Sequence, residues 1–434
     1  MAGADYTAVK AMLHEHVAKN VVDIFYQEGK DCNPLMASMD AVADTGEGFG
    51  RKLIQPIVYG TGTSVGADFT KVLAKAQSAT VGASGLYSRW EIDPVKQEAV
   101  ARWDRDAMDA AMGKSSGETF KVMTKEMDLK IAAVRKQLAT LAFGTGTGVL
   151  GRITAVSSTG FTVAKGYANR FHTGMDVAAS ASLAGAWINS GASLLVSGTD
   201  PISGVITTST DPTAASPTAW AVDQYVYNAN DRATTGAALT TYANYVLPWG
   251  MAAWLPGTTV SDGTGFCGVV RDGKWELAGL VADVSSQEPE EAFVNTANVL
   301  FTTGGVKADM CICNPYDYGA FLAGKDKSKT VQISLGKYDM AFDGFNIHTL
   351  AGNIPVVPDA MCPPGEFLVG PFKDPELAPR LVYLNDLVNI DNKDGLDFVR
   401  SASATAYEMR LYFRGNIVLP GPGKFARGTG LVTS

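Results

Sequence analysis

The apolar positions between residues 115 and 144 set the scale of this chain. In SSGETFKVMTKEMDLKIAAVRKQLATLAFG, Phe120, Met123, Met127, Ile131, Val134, Leu138 and Leu141 recur at steps of three and four. That spacing puts them on one stripe of an α-helix. Ser115 with Glu118 makes a capping-box start, and Gly144 is a natural stop. The predicted helix, 115–143, is about 40 Å long, well beyond the average of about 11–12 residues. Glu126 and Lys130 can pair one turn apart on its polar side. It is a beam with one apolar edge, and that edge needs a sheet to cover it.

An amphipathic helix is also predicted over 7–28, where Val9, Met12, Leu13, Val17, Val21, Ile24 and Phe25 share a face ahead of Gly29. Residues 1–44 read as an arm, or equally as a helix packed on its own core. Two extended segments follow, 53–59 and 86–92. Pro56 confines the first to an edge or an isolated ribbon. Glycine-rich GTGTSVGADF lies between them, so the pattern is a long hairpin that projects. A two-stranded ribbon is only marginally stable in water, and a partner that covers it would explain it; folding back on its own domain is the alternative. Asp93-Pro94 predicts a helix running to about Met112.

Between 148 and 258 Lys and Arg almost vanish, and Ser, Thr, Ala and Gly take over. Short β-prone runs at 153–156, 161–163, 175–177, 194–196, 205–207 and 220–227 alternate with turn residues. This predicts a small barrel or sandwich inserted in a surface loop. Phe161, Phe171, Trp187, Trp220, Tyr225 and Tyr227 supply the core aromatics that a disordered tract lacks. Trp249-Gly250 and Trp254-Leu255 close the insert as core or hinge. From about 265 the pattern alternates: a helix at 289–301, a strand at 309–313, a short helix after Asn314-Pro315, and strands at 345–349, 354–357 and 367–369. Near the C-terminus Tyr407, Met409, Leu411 and Phe413 alternate with Glu408, Arg410, Tyr412 and Arg414. That is a strand with one buried face, suited to cover the beam. The class is α+β.

At 434 residues the chain exceeds one simple core. Its 36 Lys and Arg against 44 Asp and Glu give a net charge of −8, which argues against a dedicated nucleic-acid binder. The five cysteines, Cys32, Cys267, Cys311, Cys313 and Cys362, are odd in number and scattered, as in a reduced cytoplasmic protein. The first residues lack the basic-then-apolar order of a signal peptide, and no apolar run approaches the ~18 residues of a membrane span. His14 and His16 sit two apart and do not share a helix face. Cys311 and Cys313 share a strand face with no second ligand pair, so no metal is expected. GTGTS at 60–64 and GTGTG at 144–148 lack the Gly-Lys-Ser/Thr of a phosphate loop. No G-x-S-x-G elbow lies on a strand–helix turn. No catalytic, cofactor-binding or metal-ligating residue is assigned, and the chain is not expected to be an enzyme.

The order of elements resembles the major capsid proteins of tailed bacteriophages, the Hong Kong 97-like fold. Ala308 to Pro315 (ADMCICNP) looks like their strand-to-helix turn. Gly344 to Thr349 followed by Asn353 to Asp359 looks like the strand–turn–strand segment of their axial domain, and Leu138 to Gly148 resembles the end of their spine helix. The resemblance implies an N-arm over 1–44, an extended loop over 45–92 lying on a neighbouring subunit, a peripheral domain from 93–147, 259–300 and 376–434, and an axial domain over 301–375, with the all-β insert at 148–258. It further implies a virion protein, assembled in the host cytoplasm into hexamers and pentamers of an icosahedral shell around double-stranded DNA, without sequence-specific binding and without a membrane. Its partners would be other copies of the chain, a portal protein at one vertex and, as an optional addition, a decoration protein. With the first helix starting near residue 7 and no coiled coil before it, a separate scaffolding protein is implied. Lys52, Lys71 and Lys75 lie in or near the loop, and nothing in their spacing marks one for a crosslink. The alternative is a cell-surface or carbohydrate-binding protein working through exposed aromatics on the insert.

Overall fold

A computed structural model describes residues 33–44, 52–60, 86–104, 132–183, 185–188, 193–214, 219–231, 247–257, 265–324, 345–350, 352–384, 399–400 and 406–431. The helix expected over 7–28 and most of the beam, 115–131, lie outside these residues.

Pro34–Ser38 is a one-turn helix, α1, started by its proline. Strands β1 (Asp40–Asp44), β2 (Leu53–Gly60), β3 (Leu86–Ile92) and β4 (Val95–Asp104) follow. The described end of the beam, α2, covers 132–142. The next tract holds β5 (Val149–Ser157), β6 (Gly160–Val163), the short helix α3 (Lys165–Ala168), β7 (Asp176–Ser180), β8 (Leu194–Asp200), β9 (Val205–Thr208) and β10 (Tyr225–Asn228). Helices α4 (Met251–Trp254) and α5 (Trp275–Ala278) lead to β11 (Leu280–Asp283), α6 (Pro289–Gly304), β12 (Met310–Cys313) and α7 (Pro315–Gly324). The chain ends in β13 (Phe345–Thr349), β14 (Gly352–Pro358), β15 (Glu366–Gly370), β16 (Arg380–Leu384), β17 (Val399–Arg400), β18 (Ala406–Val418) and β19 (Ala426–Thr429).

The centre is a six-stranded mixed sheet in the order β11-β19-β15-β12-β14-β13. Every residue of β12 is buried, and the strand period sorts its side chains to opposite faces. Cys311 and Cys313 join one core with Phe293, Ala297 and Leu300 of α6 and Phe321 of α7. Met310 and Ile312 join the other, which gathers Leu35 and Met39, Leu53 and Trp90, Leu138 and Ala142, Trp254, and Ile417. α6 carries Glu290 and Glu291 in its first turn and stops at Gly305, whose φ of 63° closes the helix through its N–H to Phe301 O. A domain boundary at 300/301 therefore falls inside a helix, because Leu300 is part of the apolar stripe that holds α6 to the sheet.

β18 organises the second sheet. It pairs antiparallel with β4 over Ala406–Gly415 and with β16 over Gly415–Val418. β1 adds a parallel edge on β16, and β17 pairs at Tyr407 and Glu408. The strand expected from period two is present. The helix expected from Asp93-Pro94 is not: Val95–Asp104 is β4. The sequence VKQEAVARWD has good helix formers, but their advantage is only a few tenths of a kcal/mol per residue. A ten-residue ladder to β18 supplies hydrogen bonds worth about 0.5–1.5 kcal/mol each, together with burial of Val95.

Strands β5 to β10 close a barrel in the order β10-β5-β6-β9-β8-β7. Ile153, Phe161, Phe171, Val177, Val196, Ile206, Trp220 and Val226 fill it, and Trp187 packs with Tyr227. Residues 249–255, grouped with the insert in the sequence, pack instead into the body core through Trp249, Met251, Trp254 and Leu255. The two chain ends of this tract meet at Gly250. A Cβ there would stand 2.1 Å from the carbonyl oxygen of Leu141 and 2.5 Å from that of Ala142. Gly250→Ala should lower the unfolding free energy by about 1–3 kcal/mol through overpacking, read from the urea midpoint at constant m-value. A midpoint equal to the parent's would show that the two backbones separate without cost.

Candidate functional site

Two features stand out as places where this chain could do work: the ribbon and a buried turn that ties several elements together. The ribbon is β2 paired antiparallel with β3 from Leu53↔Ile92 to Gly60↔Leu86, and among the described residues it joins no other sheet. Its root is locked. Trp90 is fully buried and meets Trp254 edge-on at 5.2 Å and Phe266 at 6.1 Å. Trp254 in turn packs on Phe266 at 5.0 Å and donates its indole N–H to Ile417 O at 2.9 Å. The buried guanidinium of Arg271 lies 4.0 Å over Phe266 and donates to Ala253 O. Glu91 N–H donates to Cys267 O at 2.8 Å, so one edge of β3 is clipped to the body. The opposite face is exposed and mixed: Ile54 is 61% exposed, and its cross-strand neighbour Glu91 pairs with Arg89 and Lys52.

The turn is Asp359–Cys362, directly after β14. Asp359 N–H continues the ladder to Cys313 O. Its carboxylate is buried and accepts from Met361 N–H at 2.9 Å and from Leu35 N–H, at the start of α1, at 3.1 Å. Two residues just after α3 reach the same turn from the barrel: Asn169 Nδ2 donates to Ala360 O at 2.7 Å, and Arg170 Nη2 donates to Met361 O at 2.6 Å. Arg170 Nη1 donates to Leu150 O within β5, and its guanidinium lies 4.7 Å over Tyr167. From α2, the Thr140 hydroxyl donates to the Met361 sulfur. Asn314 caps α7 by accepting from Tyr316 N–H and turns its amide nitrogen to Cys362 O. Gly166 in α3 lies so close to Asn314 and Pro364 that a Cβ would stand 2.8 Å from the amide nitrogen. Arm, long helix, barrel and α7 thus converge on one buried turn.

The knot is partly satisfied: among the described residues Asn169 Oδ1 and Arg170 Nε are buried without a hydrogen-bond partner. Burial pushes Asp359 up to about 6, against the pull of its backbone donors and of Arg170. Burial lowers Arg170 and lifts Tyr167 to about 12. Burial also raises the thiols of Cys311, Cys313 and Cys362, which makes them poor nucleophiles. Of the sequence candidates, His14, His16, Lys71 and Lys75 lie outside the described residues; Lys52 sits 3.6 Å from Glu91 on the ribbon. Cys311 and Cys313 share one face of β12, as their spacing requires. Among the described residues no group of three or more His, Cys, Asp or Glu is placed to hold a metal ion, and no helix is long and apolar enough to cross a membrane.

Solved structures similar to this chain include phage capsids. The asymmetric unit of the cyanophage A-1(L) capsid matches with a TM-score of 0.47 and 10% identity, covering 94% of this chain and 96% of that one. The capsid of an empty GTA particle matches at 0.42 and 10%, over 92% and 90%. The holo-SrpI encapsulin complex of Synechococcus elongatus matches at 0.39 and 6%, over 91% and 86%. No family model matches, and no curated protein matches.

Asn314 and Asp359 lie in the segments that carry the resemblance, with no role assigned from sequence, and Asn169 and Arg170 belong to no motif. One signal was available: Arg170 is a rare cation in a tract almost without Lys or Arg, which is how a buried structural cation looks.

Asp359 gives this site a pH signature. Its folded-state pKa lies above the roughly 3.9 of an unfolded chain, so its contribution to stability is fully present below about pH 4 and is lost as pH rises through about 6. Asp359→Asn removes it. Measured by denaturation from about pH 7.5 to about pH 4, the parent should gain about 2–3 kcal/mol relative to the variant on acidification. A parent–variant difference that stays flat would show that the carboxyl titrates as in the unfolded chain.

Proposed function

We propose that this chain is a major capsid protein of a tailed bacteriophage, with the Hong Kong 97-like fold, which self-assembles into hexamers and pentamers of an icosahedral shell around double-stranded DNA. The observation that carries the reading is the ribbon. A two-stranded sheet has little stability of its own, yet among the described residues this one joins no other sheet, roots itself on buried Trp90 and leaves Ile54 exposed. Such a ribbon gains a second cover when it lies on the next copy. Each contact is modest, and closure around a ring makes many of them simultaneous, which is where multivalency gives a shell its strength.

In this reading residues 301–375, with β12, α7 and β13 to β15, form the axial domain, residues 93–147, 259–300 and 376–434 the peripheral domain, and the barrel is an insert on the outer surface. Other copies of the chain, a separate scaffolding protein and a portal protein at one vertex are the partners, with a decoration protein as an optional addition, and assembly takes place in the host cytoplasm. The net charge of −8 suits a container that confines DNA without gripping it. The carbohydrate-binding alternative needs aromatic platforms on the barrel. There Phe161, Phe171, Trp187, Trp220 and Tyr227 are all buried, which weighs against it.

Deleting residues 60–66, from the last residue of β2 into the segment that joins it to β3, should leave a monomer with the parent's circular dichroism and melting temperature but abolish closed particles in sedimentation and negative-stain images when the scaffold is co-expressed. Normal shells from that deletion would remove the ribbon from the assembly mechanism.

A further inference from the structure

We propose that the Asp359–Cys362 turn is a mechanical coupling point, through which docking of the arm at α1 and seating of the barrel depend on one another. The barrel and the arm make separate hydrogen bonds to the same buried turn. The arm enters through Leu35 N–H on the Asp359 carboxylate, backed by Leu35, Met36 and Met39 in the body core. The barrel enters through Asn169 on Ala360 O and Arg170 on Met361 O. The carboxylate and these carbonyls belong to consecutive residues, and Met361 N–H is itself held by Asp359 Oδ1 at 2.9 Å. The carboxyl group therefore cannot turn away from one partner without rotating the peptides that the other partner reads.

Two features make the coupling stiff. The knot is buried, with Asp359 fully inaccessible and Arg170 nearly so, so water does not replace a lost partner cheaply. Gly166 of α3 also presses on Asn314 and Pro364, so the barrel's base has no slack to follow a moving turn. The charged and titratable groups around Asp359 come from each packed element: Arg170 from the barrel, Cys313 from β12, and Cys362 from the turn itself. The consequence is an arm-to-barrel linkage. Displacement of the arm, whatever drives it, loosens the barrel on its base, and by thermodynamic reciprocity the barrel's seat holds the arm. The inference concerns the folded monomer and stands apart from the shell reading, so its test needs no assembly.

Hydrogen exchange on the full-length monomer reads both directions. Leu35→Pro removes the donor and one docking side chain while keeping proline within the first turn of α1. It should raise exchange at the amides of Tyr167, Arg170 and Phe171, which bond within the α3 turn, by about tenfold relative to those of β8. Arg170→Met should raise exchange at Ala37 and Met39, which bond within α1, by a similar factor. If Arg170→Met does not fold, Asn169→Ala is read in its place by the same criterion. The proposal is overturned if each variant loosens only its own element and leaves the distant one within twofold of the parent.

Discussion

A sheet buried on both faces is the constraint from which the rest of this molecule follows. β12 has no polar side, so it must be covered twice. One cover comes from nearby in sequence: α6 and α7 flank β12 and lay Phe293, Leu300 and Phe321 on Cys311 and Cys313. The other has no local source. It is assembled from residues as far apart as Leu35, Trp90, Leu138, Trp254 and Phe425. Arm, ribbon, the described end of the long helix and the return from the barrel are all recruited to one apolar surface.

The ribbon and the barrel are opposite solutions to projecting from such a body. The barrel closes on itself and fills its interior with Phe161 and Trp220. The ribbon cannot close. It borrows one cover from the body at Trp90 and Ile57 and presents the other, with Ile54, outward. An element with one borrowed face and one bare face is suited to contact, whereas a closed barrel is suited to display.

Where the covers meet, apolar packing gives way to hydrogen bonds. The turn at Asp359 carries a carboxylate and the guanidinium of Arg170 into the interior, an arrangement that is costly unless nearly every lone pair and proton has a partner. Here backbone groups partner both oxygens of Asp359 and both terminal nitrogens of Arg170, while Arg170 Nε has no partner among the described residues. Such a knot adds little net stability relative to apolar packing, but it distinguishes one arrangement of the elements from its near alternatives, because a shifted arrangement would strand a buried charge.

Much of this was written in local pattern. Period-two alternation gave β18, helical spacing gave α6, and turn residues between β-prone runs gave the barrel strands, since each signal depends only on neighbours in the chain. β4 escaped that logic, because its residues favour a helix in isolation and only the ladder offered by β18 makes it a strand. The junction escaped too: Leu35, Arg170, Asn314 and Asp359 are separated by more than a hundred residues at each step from one to the next except the last, and no spacing rule connects them. The sequence determined which segments must find an apolar or hydrogen-bonded cover. Which cover each one finds was decided by tertiary packing, because burial and pairing energies between distant segments outweigh the few tenths of a kcal/mol per residue by which the chain prefers its local shape.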